Sequence, residues 1–282
     1  MFDVAIVGTG PAGLSTALTL KLHNKDIIWF GSAELSDKVG KSEKIANYPG
    51  VPMVSGADLN RKFYEQAREL GLEPVDKRVT NIADMGGSYM ILADNEMFEA
   101  RTVLLSTGIA AAKGMENESR LLGAGVSYCA TCDGFLYKGK TIAVICASKR
   151  YEHEVQYLAE LAEKVYLNAT YKDVGTMPDN VEIISPIREI NGSLKADMIR
   201  LNDGTELAVN GIFCLRNAVA PSTLLPGLQL DGPHIVVNRS QETNIPGCFA
   251  AGDCTGRPYQ LTKAVGEGNV AAHAILDYIN KN

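Results

Sequence analysis

The stretch that decides the fold is FDVAIVGTGPAGLSTALTL, residues 2–20. An apolar run typical of a strand leads to Gly8, Gly10 and Gly13, and apolar residues at helical spacing follow. Glycines at this spacing allow a tight turn and let backbone amides approach a pyrophosphate at the start of the helix. We therefore predict a dinucleotide-binding βαβ unit. We prefer it to a glycine-rich turn without a ligand, because strand, loop and helix occur together.

A similar pattern begins again at TIAVICASKRYEHEVQYL, residues 141–158. Here the turn between strand and helix carries Cys146, Ala147 and Ser148, where a nucleotide-binding loop would carry glycines. Each of these residues adds a β-carbon where the backbone would have to approach a phosphate. The pattern predicts a second domain of the same general kind, in which nucleotide binding is weak or absent.

The rest of the sequence predicts further strands and a long final helix. Asn191-Gly192 and Asp203-Gly204 separate three short strands, and this pattern is typical of a meander with tight hairpins. The apolar strand GCFAAGD, residues 247–253, precedes a helix with apolar residues on one face. We predict an α/β protein with two Rossmann-like, three-layer domains.

The composition indicates an ordinary globular protein of two modest domains. Of 282 residues 46% are hydrophobic and 21% charged, and the net charge of -6 argues against a nucleic-acid-binding protein. No apolar run approaches the roughly 20 residues that cross a bilayer, and Asp3 lies where a signal peptide would be basic and then apolar. We expect a cytoplasmic protein that binds neither nucleic acid nor membrane. Its six cysteines are too few and too scattered for a disulfide framework.

One pair of cysteines needs its own explanation. Cys129 and Cys132 lie in the sequence CATCDG. Two thiols at this spacing can cycle between disulfide and dithiol, supply half of a zinc site, or be buried and inert. Zinc would need further ligands, and Cys248, Cys254 and His234 are poorly spaced for that role. We therefore expect no metal, while the redox pair and the inert pair both remain open.

The longer segment GVSYCATCDG, residues 125–134, resembles the redox-active segment of the low-molecular-weight thioredoxin reductases. VGTGPAG, NYPG, STG and IPGCFAAGD resemble the flavin-binding landmarks of that family and occur in the same order along the chain. The resemblance implies an FAD cofactor, with Asp253 at the ribityl chain and Asn47 near the isoalloxazine. The residues that it assigns to FAD are Gly8, Gly10, Pro11, Ala12, Gly13, Asn47, Thr107, Gly108, Gly252, Asp253 and Gln260.

The resemblance also implies catalytic roles around the cysteine pair. Cys132 would be the sulfur that faces the flavin, and Cys129 would be the thiol that attacks the disulfide of thioredoxin. Asp133 would supply a proton to the leaving thiolate as a general acid. From the sequence alone, without this resemblance, a turn residue before Gly134 is the preferred interpretation of this aspartate.

The chain departs from that family in its second unit. The family has a glycine-rich loop for NADPH and a His-Arg-Arg stretch that holds the 2′-phosphate. The stretch YLNATYK, residues 166–172, places Ala169, Thr170 and Tyr171 at the basic positions. The pattern resembles the pyridine-nucleotide-independent branch, in particular the ferredoxin-dependent flavin enzymes. This resemblance implies ferredoxin as electron donor, thioredoxin as substrate and a homodimer.

The same resemblance implies a discontinuous FAD domain into which the redox domain is inserted. The predicted boundaries are 1–110 and 217–282 for the FAD domain and 111–216 for the redox domain with a degenerate NADPH-type fold. Three alternatives remain open at this point. They are a thioredoxin reductase that uses NADPH or flavodoxin, a flavin-disulfide redox sensor without turnover, and a nucleotide-binding scaffold without redox activity.

Overall fold

The computed structural model describes residues 1–108, 115–118, 120–128, 130–215 and 221–281, with only the backbone of Asp37, Cys132 and Ser222. The chain divides into two compact units. The first unit comprises Met1–Ile109 and Ala220–Asn282, and the second comprises Ala110–Val219. In the described part of the chain, no helix is both long enough and apolar enough to cross a membrane.

The first unit begins with the predicted strand and helix. Its first part contains, in chain order, β1 (Phe2–Val7), α1 (Pro11–Leu22), β2 (Ile27–Phe30), α2 (Asp37–Gly40), α3 (Gly56–Glu69), β3 (Val79–Asp84), β4 (Tyr89–Ala93) and β5 (Glu96–Leu105). Ser55 caps α3, because its side chain accepts a hydrogen bond from the backbone N–H of Asp58.

The second unit contains a parallel sheet and a separate meander. Its elements are β6 (Val126–Ser127), α4 (Ala130–Asp133), β7 (Thr141–Cys146), α5 (Glu152–Leu161), β8 (Lys164–Ala169), β9 (Val181–Ile183), β10 (Ile187–Asn191), β11 (Met198–Leu201), β12 (Glu206–Ala208) and β13 (Gly211–Leu215). Short 3-10 helices lie at Gly134–Tyr137 and Lys149–Tyr151.

The chain then completes the first unit. This last part contains α6 (Pro221–Leu224), β14 (Leu230–Asp231), β15 (His234–Ile235), β16 (Cys248–Ala250), a 3-10 helix (Asp253–Thr255) and α7 (Leu261–Lys281).

The sheet of the first unit aligns the ends of its parallel strands. Its order is β2-β1-β5-β4-β3, and the second half of β5 also pairs with β16. Leu105 at the end of β5 is the register partner of Val7 in β1 and of Ala250 in β16. The loops that follow these three strands therefore meet at one edge of the sheet, where ligands bind in open α/β sheets.

Helices α1 and α7 pack closely together beside this sheet. Gly268 of α7 makes the close approach possible, because a Cβ there would lie 2.2 Å from the backbone oxygen of Ala12. The buried hydroxyl of Thr16 donates a hydrogen bond of 2.7 Å to the carbonyl oxygen of Gly268. The final helix is thus held against the start of the first helix by backbone contact.

The second unit has three layers around one parallel sheet of order β6-β13-β7-β8-β9. Residues of β7 alternate between two cores, as a strand period of two requires. Ile142 and Val144 pack with α5 on one face, while Ala143 and Ile145 pack with the meander β10-β11-β12 on the other. The predicted α/β class with parallel sheets is confirmed.

One predicted turn differs from the structure. The meander of three antiparallel strands is present, but residues 192–197 connect β10 to β11, which is longer than a tight hairpin. The longer loop brings Ala196 into the core, where it is fully buried, and Gly192 (φ +148°) begins the turn. Asn191-Gly192 thus marks a turn, as predicted, but not a two-residue one.

Alanine at Gly268 should destabilise the first unit, because the new methyl group would collide with the backbone of Ala12. We expect a loss of about 1–3 kcal/mol, as for other overpacked contacts. Gly266 of the same helix is the matched control, since no described atom lies within 4 Å of its Cβ position. Gly266→Ala should stabilise by about 0.4–1 kcal/mol. Urea unfolding followed by circular dichroism measures both, and equal midpoints would contradict the proposed contact.

Candidate functional site

The loop after β1 is built by close backbone contacts. Gly8 has a φ of +116°, and a Cβ there would lie 2.3 Å from the carbonyl oxygen of Ser106. The hydroxyl of Ser106 lies 3.0 Å from the carbonyl oxygen of Val7 and 3.1 Å from that of Gly8. The indole N–H of Trp29 donates to the Gly8 oxygen at 2.9 Å. These contacts hold the loop against the neighbouring strands at the point where it leads into α1.

The start of α1 is suited to an anion. Gly13 packs so closely that a Cβ there would lie 2.1 Å from the carbonyl oxygen of Gly8. Gly10 occupies the N-cap without a side chain, Pro11 follows, and the first turn carries no acidic residue. No described atom lies within 4 Å of the position where Gly10 would carry a Cβ. Backbone N–H groups at such a helix start are free to bind a phosphate.

The turn after β16 lies beside this helix start. Gly252 has a φ of +91°, and a Cβ there would lie 3.0 Å from the Cβ of Ala12. Asp253 begins the following 3-10 helix, and its carboxylate forms an ion pair with the ammonium group of Lys38. The Lys38 side chain is 71% exposed and that of Asp253 14% exposed, so the carboxylate lies in a recess under a movable lysine.

Two other predicted FAD residues meet although they are 213 positions apart. The Asn47 side-chain amide donates to the Gln260 side-chain oxygen at 3.0 Å, just before α7 begins. Thr107 and Gly108 directly follow Ser106, and Gly108 has a φ of +69°.

Together these residues fit a dinucleotide. The uncapped helix start accommodates a pyrophosphate, and Gly8, Gly13 and Gly252 occupy places where a larger residue would collide with backbone or with Ala12. Asn47 and Asp253 add an amide and a carboxylate group in the loops around this site.

Some residues of this site were not predicted from the sequence. Lys38 contacts Asp253, and its ammonium group also lies 5.4 Å from the ring centre of Tyr259. Lys263 and Glu267 hydrogen-bond the turn at Gly252. Their spacing of four residues on a helix was visible in the sequence, but it is also the spacing of an ordinary exposed ion pair.

The equivalent turn of the second unit is closed by its own side chains. Ser148 caps the 3-10 helix after β7 by accepting from the backbone N–H of Arg150. Glu152 follows at the start of α5, and its carboxylate accepts hydrogen bonds of 2.9 Å from the hydroxyl of Tyr171 and from the backbone N–H of Gly175. Tyr171 follows β8, so these bonds tie the end of one strand to the start of the helix after its neighbour.

Burial raises the pKa of two groups in this turn, Tyr171 and Cys146. Burial, and then the hydrogen bond to Glu152, raises the pKa of Tyr171, so the phenol stays protonated and donates to the carboxylate. Burial also raises the pKa of the Cys146 thiol, against a smaller lowering by its hydrogen bond to the carbonyl oxygen of Ser148. The Glu152 carboxylate at the start of α5 is thus bound by a phenol and a backbone N–H that follow β8.

The predicted redox pair is only partly described. Cys129 lies outside the described residues, and Cys132 lies in α4 without a described side chain. Asp133 ends α4, and its carboxylate accepts a hydrogen bond of 2.7 Å from the hydroxyl of Ser127 in β6. The structure thus describes an acidic side chain held next to Cys132 in the sequence. Within the described residues, no three histidine, cysteine, aspartate or glutamate side chains form a candidate metal site.

Comparison with known proteins identifies the family. Residues 2–268 match the model of the pyridine nucleotide-disulphide oxidoreductases. The chain is 34% identical over 309 residues to the thioredoxin reductase of Helicobacter pylori, with 99% of each chain covered. It is 43% identical to the crystal structure of a ferredoxin-flavin thioredoxin reductase from Clostridium acetobutylicum, with a TM-score of 0.92 and coverage of 99% and 97%. It is 28% identical to the structure of a thioredoxin reductase from Gloeobacter violaceus, with a TM-score of 0.82 and coverage of 99% of this chain and 94% of that one.

The chain therefore belongs to the pyridine nucleotide-disulphide oxidoreductase family and is a homologue of the thioredoxin reductases. The resemblance stated from the sequence is confirmed. Membership of this family implies FAD as the cofactor, in agreement with the prediction.

Alanine at Gly10 should weaken FAD binding without unfolding the protein. The methyl group meets no described atom within 4 Å, so the stability of the apoprotein should change by less than about 1 kcal/mol. If the predicted pyrophosphate site is correct, the methyl group would take up space that the pyrophosphate needs, and the FAD dissociation constant should rise at least about tenfold, or about 1.4 kcal/mol. Titration of apoprotein with FAD measures this. Gly87→Ala, in an open loop, is the control, and equal FAD affinity for both variants would contradict the assignment.

Four buried cysteines should resist alkylation in the native protein. Burial raises the pKa of Cys248 and of Cys254 to about 12, so only about one thiol in 10⁴ is ionised near pH 8. Cys146 and Cys214 are also buried and are not part of a disulfide. We expect iodoacetamide to label only Cys129 and Cys132 after mild reduction, and all six cysteines after unfolding, as mass spectrometry can measure. Labelling of Cys254 in the folded protein would show that its surroundings are misassigned.

Proposed function

We propose that this member of the pyridine nucleotide-disulphide oxidoreductase family is a thioredoxin reductase that takes electrons from reduced ferredoxin. FAD and the pair Cys129 and Cys132 would carry the electrons to the disulfide of thioredoxin. Homology to thioredoxin reductases along the whole chain supports the substrate. The high similarity to a ferredoxin-flavin thioredoxin reductase supports the donor. A homodimer and a cytoplasmic location remain predictions.

The residues proposed to hold FAD lie in the loops at one edge of the first sheet. The backbone at the start of α1 would bind the pyrophosphate. Asp253 would accept hydrogen bonds from ribityl hydroxyls once Lys38 moves aside, and Asn47 and Gln260 would present amide groups to the ring system. The full proposed set is Gly8, Gly10, Pro11, Ala12, Gly13, Asn47, Thr107, Gly108, Gly252, Asp253 and Gln260.

One observation carries the choice of ferredoxin over NADPH. It is the carboxylate of Glu152 at the start of α5, hydrogen-bonded by Tyr171 and by the backbone N–H of Gly175. A phosphate at that helix start would meet a fixed negative charge and the β-carbons of Cys146 and Ala147. The basic residues that would pair with a 2′-phosphate are replaced by Ala169, Thr170 and Tyr171. The second unit therefore supports the redox pair without a nucleotide.

FAD, when bound, can accept single electrons from a one-electron donor and deliver two to a disulfide. In one turnover, two reduced ferredoxins each lose one electron, and the disulfide between Cys129 and Cys132 takes up two electrons and two protons to become two thiols. The Cys129 thiolate then attacks the thioredoxin disulfide and forms a mixed disulfide. Cys132 displaces the reduced thioredoxin and restores the starting disulfide. Asp133, held by the Ser127 hydroxyl, would give a proton to the leaving thiolate.

An anaerobic absorbance titration tests the donor. Reduced ferredoxin should bleach the flavin absorbance of the purified protein completely once about four electrons per FAD have been added, because the flavin and the disulfide between Cys129 and Cys132 each take up two. A stoichiometric amount of NADPH should leave the absorbance unchanged. Rapid, stoichiometric bleaching by NADPH would instead return the protein to the nucleotide-dependent thioredoxin reductases.

Substitution of the cysteine pair tests the path beyond the flavin. Cys132→Ser should still be bleached by reduced ferredoxin, but its rate of thioredoxin reduction should fall by at least about 10³-fold, because no disulfide can form. Cys146→Ser is the matched control, since that thiol is buried in the closed turn, and it should keep most of the activity. Undiminished turnover of Cys132→Ser would exclude the proposed path.

A further inference from the structure

The turn that carries Asp253 is held by an ion pair on the final helix. Lys263 and Glu267 lie one turn apart on α7, and their side chains are only 16% and 20% exposed. Their ammonium nitrogen and carboxylate oxygen are 2.9 Å apart. This pair is much less exposed than the Arg61–Asp58 pair of the same unit, whose side chains are 64% and 53% exposed. Both Lys263 and Glu267 also hydrogen-bond the turn at Gly252.

The Glu267 carboxylate holds the turn from one side. Its Oε2 accepts a hydrogen bond of 2.8 Å from the backbone N–H of Gly252 and lies 2.9 Å from the hydroxyl of Thr255. Together with Lys263, this oxygen has three polar neighbours. An ionised carboxylate only accepts, so the arrangement matches its chemistry, and hydrogen bonds to a charged group are among the stronger ones.

The Lys263 ammonium group holds the turn from the other side. It donates to the carbonyl oxygen of Gly252 at 2.8 Å and to the hydroxyl oxygen of Thr255 at 3.1 Å. With the bond to Glu267, its three N–H donors have three acceptors. Both polar backbone atoms of Gly252 are therefore bound by the two charged side chains.

This fixation matters because the backbone of Gly252 is unusual. Its φ of +91° and ψ of -151° belong to a region that is essentially limited to glycine, and because glycine has many other accessible conformations, the hydrogen bonds to its N–H and C=O are what select this one. The turn lies against Ala12 at the start of α1 and leads directly into Asp253. The pair therefore links α7 to both parts of the site that we assign to FAD.

We propose that Lys263 and Glu267 are positioning residues for FAD. They hold the Gly252 peptide, and through it they set the Asp253 carboxylate and the spacing between this turn and the start of α1. Neither side chain needs to touch the cofactor. The proposal rests on the assignment of FAD to these loops, and it does not depend on which donor reduces the flavin.

Single and double variants test this role through FAD affinity. Lys263→Met leaves a largely buried carboxylate without its cation, and Glu267→Gln leaves the ammonium group without its anion. Each should raise the FAD dissociation constant at least about tenfold and change the visible absorption of bound FAD, because the charge-assisted hydrogen bonds to Gly252 are lost or weakened. The double variant removes both charges, so its loss should be smaller than the product of the two single losses.

The readouts separate positioning from general stability. Arg61→Met removes an exposed ion pair with Asp58 on α3 and should leave both FAD affinity and absorption unchanged. If the Lys263 and Glu267 variants melt earlier as apoproteins but bind FAD with unchanged affinity below that temperature, the proposal is overturned. If Lys263→Met does not fold, Glu267→Gln decides, since it keeps an acceptor for the Gly252 N–H. Undiminished FAD binding by Gly10→Ala would instead overturn the FAD assignment itself.

Discussion

The backbone at the start of α1 packs directly against the backbone at the ends of the neighbouring strands. The rest of the first unit depends on this contact. Gly13 has no room for a Cβ beside the carbonyl oxygen of Gly8, and Gly8 has none beside Ser106. On the other side, Gly268 lets α7 touch the backbone of Ala12. Since glycine alone permits such approaches, strand, helix start and final helix form one rigid frame. The turn at Gly252 completes this frame, so the predicted cofactor residues belong to the core packing as well as to the site.

The two units show how the same strand-turn-helix frame can be used in two ways. In the first unit the helix start is left uncapped by any side chain, which suits a phosphate. In the second unit the Ser148 side-chain oxygen accepts a hydrogen bond from the backbone N–H of Arg150. The Glu152 carboxylate lies at the start of α5, where the Tyr171 hydroxyl and the Gly175 N–H hydrogen-bond it. An internal anion stabilises this helix start as a ligand would in the first unit. On our proposal, the second frame is kept for its fold and binds no nucleotide.

Much of this could be predicted because the signals are local. The glycine spacing, the apolar strands and the helix spacing lie within short windows, and the predicted α/β class is confirmed. The redox segment and the flavin landmarks predicted the family from short motifs. The hairpin at Asn191 was predicted too short, because the burial of Ala196 lengthens the loop and no local pattern reports it. The contact of Lys38 with Asp253 was missed because the two residues are far apart in the sequence, and nothing near Lys38 distinguishes it from an ordinary solvated lysine.

The sequence by itself determined the class of fold, the family, the uncapped turn of the first unit and the absence of glycines in the second. These depend on residue type at short spacing, where backbone sterics act directly. Only the tertiary structure decided that Asn47 meets Gln260, that Glu152 occupies the second helix start, and that Lys263 and Glu267 hold Gly252. Such contacts depend on which loops the sheet register brings together, and a charged pair has the same spacing on a helix whether it is exposed or buried. For Lys263 and Glu267, packing also removes most of the surrounding water, which distinguishes this pair from an exposed one.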